Sequence, residues 1–165
     1  MVVSQEWEKI HSSKDWGRYP NEYVVAFAMN AFSERKDRSK ITVLDLGFGG
    51  GGNLKFFCEQ GFNSYGIEGS SSALNKSREF LSSLGHRPNL IRGTMTDLSN
   101  YSDRQFDLVI DVRSMSNIPR SMIRRCISEV ERVLNSGGYF LSLLYGKGCM
   151  SVEQGRQIES GTFVD

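Results

Sequence analysis

Val43-Leu44-Asp45-Leu46-Gly47-Phe48-Gly49-Gly50-Gly51-Gly52 runs a buried strand into a glycine turn. Ile41 to Leu46 is apolar except for Thr42 and Asp45, the pattern of a central parallel strand covered on both faces. Five of the next six residues are glycine. Glycines there let the backbone turn sharply and leave amides free to approach a ligand. Gly47, Gly49 and Gly51 fit the pattern GxGxG, and Gly47, Gly49 and Gly52 fit the dinucleotide pattern GxGxxG, so the turn alone does not choose its ligand.

The pattern of a strand alternating with a helix continues on both sides. Upstream, residues 3–15 and 20–33 have apolar residues at helical spacing (Trp7 and Ile10; Val24, Phe27, Ala28, Ala31 and Phe32), and Pro20 with Asn21 and Glu22 predicts a helix start near Pro20. Downstream, a short helix over 53–60 ends at Gly61, a strand covers 63–68, and a helix over 70–84 stops at Gly85. Strands follow at 89–92, 106–112 and 139–144, with a helix from Pro119 to Leu134 that Asn135, Ser136 and Gly137 close. Alternation of this kind demands right-handed crossovers, hence an α/β fold with a mostly parallel sheet between two helical layers. Ligands bind such sheets beyond the carboxyl ends of the strands, where strand order reverses, and the glycine turn lies there.

The chain has 165 residues and a formal net charge of +1. That length suits a single domain, read here as residues 1–165 with N-terminal helices and lid over 1–35, a ligand-binding core over 41–145 and a loose tail over 146–165. The charge gives no reason to expect nucleic acid or an anionic membrane, and no apolar run reaches the length of a membrane span. Cys58, Cys126 and Cys149 are far apart and odd in number, which argues against disulfides and a zinc site and for the reducing cytoplasm. Cys58 and Cys126 fall on helical patterns as core residues, while His11 and His86 stand alone on polar segments and read as surface side chains.

Four features bear on the ligand. Asp45 is a carboxylate on an otherwise apolar strand, and a buried acid needs partners. It can accept from the glycine-turn amides and attract an ammonium group, whereas a pyrophosphate there would be repelled. Glu68 in Gly66-Ile67-Glu68-Gly69-Ser70 ends the second strand where one carboxylate can accept both hydroxyls of a ribose. In Thr94-Met95-Thr96-Asp97, the Asp97 carboxylate can accept the exocyclic amine of adenine with Met95 over the ring, or it can cap a turn ahead of Leu98. Arg132-Val133-Leu134-Asn135-Ser136-Gly137-Gly138 joins the last helix to the last strand.

Taken in order, these segments together with Phe106 to Pro119 resemble a class I, Rossmann-like S-adenosylmethionine-dependent methyltransferase of the small-molecule type, over residues 16–145. The resemblance implies a three-layer sandwich with strand order 3-2-1-4-5 and S-adenosyl-L-methionine as cofactor, leaving as S-adenosyl-L-homocysteine. It places Asp45, Gly47, Gly49 and Gly51 around the methionine part, Glu68 on the ribose, and Thr96 and Asp97 on adenine. Phe48, Asn53, Gly69 and Met95 border the same site. Asp111, at the end of the fourth strand, lies beside the sulfonium and is the candidate base for a hydroxyl or amine acceptor. The segment Trp16-Gly17-Arg18-Tyr19-Pro20-Asn21-Glu22 resembles a lid in which Tyr19 faces the sulfonium and Arg18 the cofactor's carboxylate, or else it serves as a hydrophobic staple for the helix that follows.

The usual antiparallel sixth and seventh strands have no room after Leu144. The fifth strand is then expected at an exposed edge, open to a second copy in a homodimer or to another partner. The acceptor is expected to be a small molecule. A non-catalytic module of the same fold, binding the cofactor or serving as a partner subunit, and an NAD(P)-dependent oxidoreductase are the alternative readings.

Overall fold

Val43, Leu44, Asp45 and Leu46 are all buried, and a strand buried on both faces takes partners on both sides. In the computed structural model, which describes residues 3–15, 17–146, 156–159 and 162–164, β1 (Thr42–Leu46) pairs in parallel with β2 (Asn63–Glu68) and β4 (Phe106–Val112). β3 (Asn89–Arg92) extends the sheet beyond β2, and β5 (Leu134–Leu143) extends it beyond β4. The order is β3-β2-β1-β4-β5, as expected, with the reversal between β1 and β4. The helices are α1 (Val3–Ser13), α2 (Glu22–Ala31), α3 (Gly52–Glu59), α4 (Ser71–Ser83) and α5 (Arg120–Val133).

The two-residue period of the strands divides the core. Leu44, Leu46 and Val109 face α5, where they pack with Cys126, Val130 and Val133. Val43, Leu108 and Ile110 face the other way, onto Val24 and Ala28 of α2 and Phe56 and Phe57 of α3. A third cluster joins Phe48 and Leu54 to Leu74 and Leu81 of α4 and to Leu90. Cys126 is buried as expected, whereas Cys58 is only partly so, and both are free thiols.

Three boundaries differ from expectation. α2 begins at Glu22 because the Asn21 side chain caps it, accepting from the Tyr23 amide, and this leaves Pro20 outside. β5 begins at Leu134 instead of Tyr139, with Leu134 opposite Phe106 and Tyr139 opposite Leu108. The surplus residues bulge through Gly137, at φ 79°, so the Asn-Ser-Gly segment read as a helix stop lies inside a strand. In the tail, β6 (Arg156–Glu159) and β7 (Thr162–Val164) pair as an antiparallel ribbon apart from the five-stranded sheet, in place of the loose segment expected there. Cys149, Trp16 and the rest of the tail lie outside the described residues.

Candidate functional site

Asp45, Glu68 and Asp111 stand at or near the carboxyl ends of three adjacent strands, and all are buried. The glycine turn leaves β1 beside them. Gly47, Gly49 and Gly51 have φ of 65°, 51° and 79°, the left-handed region that favours glycine. A methyl group on Gly47 would lie 2.4 Å from Ser114 Oγ, and one on Gly52 would lie 2.4 Å from the Tyr19 carbonyl oxygen. The turn is therefore packed against the segment after β4 on one side and the residues before α2 on the other.

Asp45 is 1% exposed and takes a hydrogen bond from Asn53, whose own Oδ1 accepts from the Asn21 amide at 2.9 Å. Its Oδ2 is buried with no hydrogen-bond partner. Burial pushes its pKa well above the usual carboxylate range, the Asn53 bond opposes that, and the charges of Asp111 and Glu68 push it further up. Glu68 accepts from the Gly49 amide through Oε2 and from the Ser70 amide through Oε1, both at 2.9 Å. It thereby ties the glycine turn to the start of α4.

Asp111 has no exposed surface. Its Oδ1 accepts from the Met115 amide at 2.9 Å and its Oδ2 from the Ser142 hydroxyl at 2.8 Å, while burial raises its pKa. In this arrangement Asp111 holds the turn after β4, and an acceptor has no path to it. Among the other expected site residues, Phe48 is buried in the core cluster with Leu54 and Leu74, its ring over Gly66, the β2 partner of Asp45. Arg18 lies over the Phe80 ring at 4.6 Å and pairs with Asp15 at 3.7 Å, and Tyr19 is 89% exposed. Arg18 thus lines a cleft with Gly49 and Gly50 of the glycine turn, while the Tyr19 side chain is open to solvent.

On the adenine side, Met95 packs against the core with its Cε 3.6 Å from where a Gly47 methyl would lie. Thr96 is buried, with its hydroxyl 3.0 Å from that of Thr94. Gly69 accepts from Arg92 Nε at 3.4 Å. Asp97 is exposed and caps a turn, its Oδ1 accepting from the Ser99 amide at 3.2 Å; the Ser99 hydroxyl first, and then this amide, hold its pKa below the usual range.

Two features were not foreseen. Glu129 and Arg132 of α5 grip the residue after Asp97: Glu129 Oε2 accepts from the Leu98 amide at 2.7 Å, and Arg132 donates to the Leu98 carbonyl at 2.9 Å. Arg132 also donates to the Tyr101 carbonyl and to Asp103 and Glu129, so the RVLNSGG segment noted in the sequence anchors the loop after β3. The second feature is the docking of α1. Its Glu8 accepts from the hydroxyls of Ser70 and Ser72 and from the Ser72 amide, bonds that hold its pKa down at about 2. His11 is 6% exposed, with its Cε1 3.6 Å from where a Gly49 methyl would stand. Burial lowers its pKa, opposed by Glu68 and Glu8. The surface position expected for His11 is thus corrected: α1 lies across the glycine turn.

A family profile for the methyltransferase domain matches residues 43–138. The ubiquinone biosynthesis O-methyltransferase of Rickettsia felis is 25% identical over 150 residues, 85% of this chain and 54% of that protein. The chain spans about half the length of the curated relatives it matches. Among solved structures, the PH0226 protein from Pyrococcus horikoshii OT3 superposes with a TM-score of 0.61 at 26% identity, over 76% of this chain and 62% of that one. Geranyl diphosphate methyltransferase in complex with GPP and sinefungin superposes with a TM-score of 0.60 at 19% identity, over 69% of this chain and 44% of that one, a likeness of fold.

Proposed function

The chain belongs to the methyltransferase-domain family, and from that membership we propose that it binds S-adenosyl-L-methionine and transfers the methyl group to a small-molecule acceptor. The observation that carries this reading is the unpartnered, buried Oδ2 of Asp45 beside two further buried carboxylates. Three buried acids close enough to repel one another call for a cationic ligand, and an anionic pyrophosphate beside them meets repulsion. The residues present fit the cofactor: Asp45 for the ammonium, the amides and backbone of Gly47 to Gly51 for the methionine part, Glu68 for the ribose, and Thr96 and Asp97 with Met95 for adenine. When bound, the cofactor supplies an electrophilic methyl group on a positively charged sulfur that leaves as a neutral thioether.

The protein's task is then alignment more than acid chemistry. Asn53 orients Asp45, Glu129 and Arg132 hold the adenine loop, and Asp111 fixes the turn on which an acceptor would rest. The name of the Rickettsia relatives favours an oxygen as methyl acceptor.

Calorimetric titrations with S-adenosylmethionine, S-adenosylhomocysteine and NADH test the reading. Micromolar binding of the first two with none of NADH supports it, and binding of NADH alone overturns it. Among the described residues β5 has no second neighbour and no helix is long and apolar enough to cross a membrane. Tyr139, Leu144 and Tyr145 are exposed on or just beyond β5, and we assign that edge to pairing of two copies. A monomeric mass in light scattering at high concentration refutes that pairing. The free thiols of Cys58 and Cys126, both with raised pKa, suit a reducing cytoplasm.

A further inference from the structure

Arg113 follows β4 directly and has φ 68°, in the left-handed region. Among the described residues only one other non-glycine residue shares that region, Arg104 at φ 52°, on the turn before β4 at the opposite end of the strand. A long, unbranched side chain gains nothing locally from such a backbone, so the surrounding structure must hold it there. It does so on both sides: the Arg113 amide donates to the Leu143 carbonyl at 2.7 Å, and its own carbonyl accepts from Asn117 Nδ2 at 2.7 Å. The next residue, Ser114, donates to the Gly47 carbonyl at 3.0 Å, which puts the strained residue one step from the glycine turn.

What this backbone presents is an exposed guanidinium 5.3 Å from the centre of the Tyr145 ring, with no carboxylate paired to it among the described residues. The Tyr145 ring is itself set in place, since its amide donates to Ser116 Oγ at 3.1 Å. An arginine is planar and offers a fork of donors matched to an oxyanion, and beside an aromatic face it suits a ligand that combines an acid group with a flat body.

We infer that Arg113 and Tyr145 form the recognition site for an acidic group on the methyl acceptor, which makes the acceptor a small organic anion. This rests on the methyltransferase reading of the same site. The acids assigned to the cofactor lie on β1 and β2, whereas Arg113, with no carboxylate paired to it among the described residues, stands at this end of β4, one residue from the Ser114 bond to the glycine turn.

Benzoate and its uncharged counterpart benzamide are the probes, titrated calorimetrically into the full chain with and without saturating S-adenosylhomocysteine. The native protein is expected to prefer benzoate at least tenfold. Arg113→Lys should keep part of that preference. Arg113→Gly should abolish it while raising the melting temperature, because glycine relieves the φ and the fold is not at risk. S-adenosylhomocysteine affinity should be unchanged in both. Equal binding of the two probes to the native protein, or an undiminished preference for benzoate in Arg113→Gly, overturns the inference. A tenfold loss of S-adenosylhomocysteine affinity in Arg113→Gly also overturns it, by assigning the guanidinium to the cofactor. Failure of the native protein to bind S-adenosylhomocysteine at all strikes the methyltransferase reading instead, and the benzoate comparison on the ligand-free chain still decides Arg113.

Discussion

Replacing Asp45 by Asn should stabilise the ligand-free protein and cripple cofactor binding. The native carboxyl is 1% exposed, has one oxygen without a partner and shares its surroundings with Asp111 and Glu68, all of which penalise its charged form. In the unfolded chain it ionises in the ordinary range, near pH 4. From there up to its raised folded value, the folded state keeps a proton that the unfolded state has shed. Stability therefore falls with rising pH through that window, by up to about 1.4 kcal/mol per pH unit. Asn keeps the shape and can still accept from Asn53, but it carries no charge. Its NH2 takes the unpartnered place of Oδ2, so the gain comes from the lost charge alone, about 1.4 kcal/mol for each pH unit by which the folded pKa is raised. For a chain of this size each kcal/mol moves the melting midpoint by about 2–4 °C. Thermal melts from pH 4 to 8 should show Asp45→Asn above the native protein at pH 7.5, with the gap closing toward pH 4. At a hundredfold excess over the dissociation constant, S-adenosylmethionine should add about 2.7 kcal/mol to the native protein and little to the variant, reversing the order. A variant that melts below the native protein at pH 7.5 without ligand, or a gap that ignores pH, would refute the reasoning.

Gly52→Ala places a methyl group 2.4 Å from the Tyr19 carbonyl oxygen, and overpacking of this kind costs about 1–3 kcal/mol; a lowered melting midpoint and faster tryptic cleavage at Arg18 should report it. Arg132→Met removes charged donors from the Leu98 and Tyr101 carbonyls and should cost about 1.5–3 kcal/mol in denaturant titration. Asp103→Ala, which breaks one pair whose acid side is 74% exposed, should cost under about 1 kcal/mol. Glu8 has its pKa depressed from 4.5 to about 2, so its grip on α4 is complete above pH 4.5 and is lost as pH falls toward 2. Hydrogen exchange at the Ser72 amide should accelerate across that interval in the native protein, and Glu8→Gln should flatten the response.

The central strands were legible because burial on both faces leaves an apolar run that few other structures produce, and the glycine turn because only a left-handed backbone needs so many glycines together. The buried acids Asp45 and Glu68 were legible for a related reason, since a charge at the end of such a run has to be explained. The helix α1 was legible but its docking was not, because that depends on Glu8 meeting Ser70 and Ser72, more than sixty positions away, and no local period encodes that pairing. The start of β5 was hidden by Asn135, Ser136 and Gly137, which read as a helix stop; their place in a bulge depends on register with β4. Asp97 was undecided between adenine and a turn cap, and it makes the cap contact with Ser99. Arg113 left no mark in the sequence, since its importance lies in a backbone angle imposed by its neighbours.

The reversal of strand order between β1 and β4 has an evolutionary corollary. The groups assigned to the cofactor come from β1, β2, β3 and the loops that follow them, whereas Arg113 and Tyr145 belong to the β4 and β5 side. The two sets meet along a single seam, the β1 and β4 ladder with the Ser114 to Gly47 bond above it. Substitutions at Arg113 and Tyr145 can therefore drift toward a new acceptor with little penalty in cofactor affinity, whereas Ser114, Glu129 and Arg132, which reach across to the glycine turn and the loop after β3, are held by both sides.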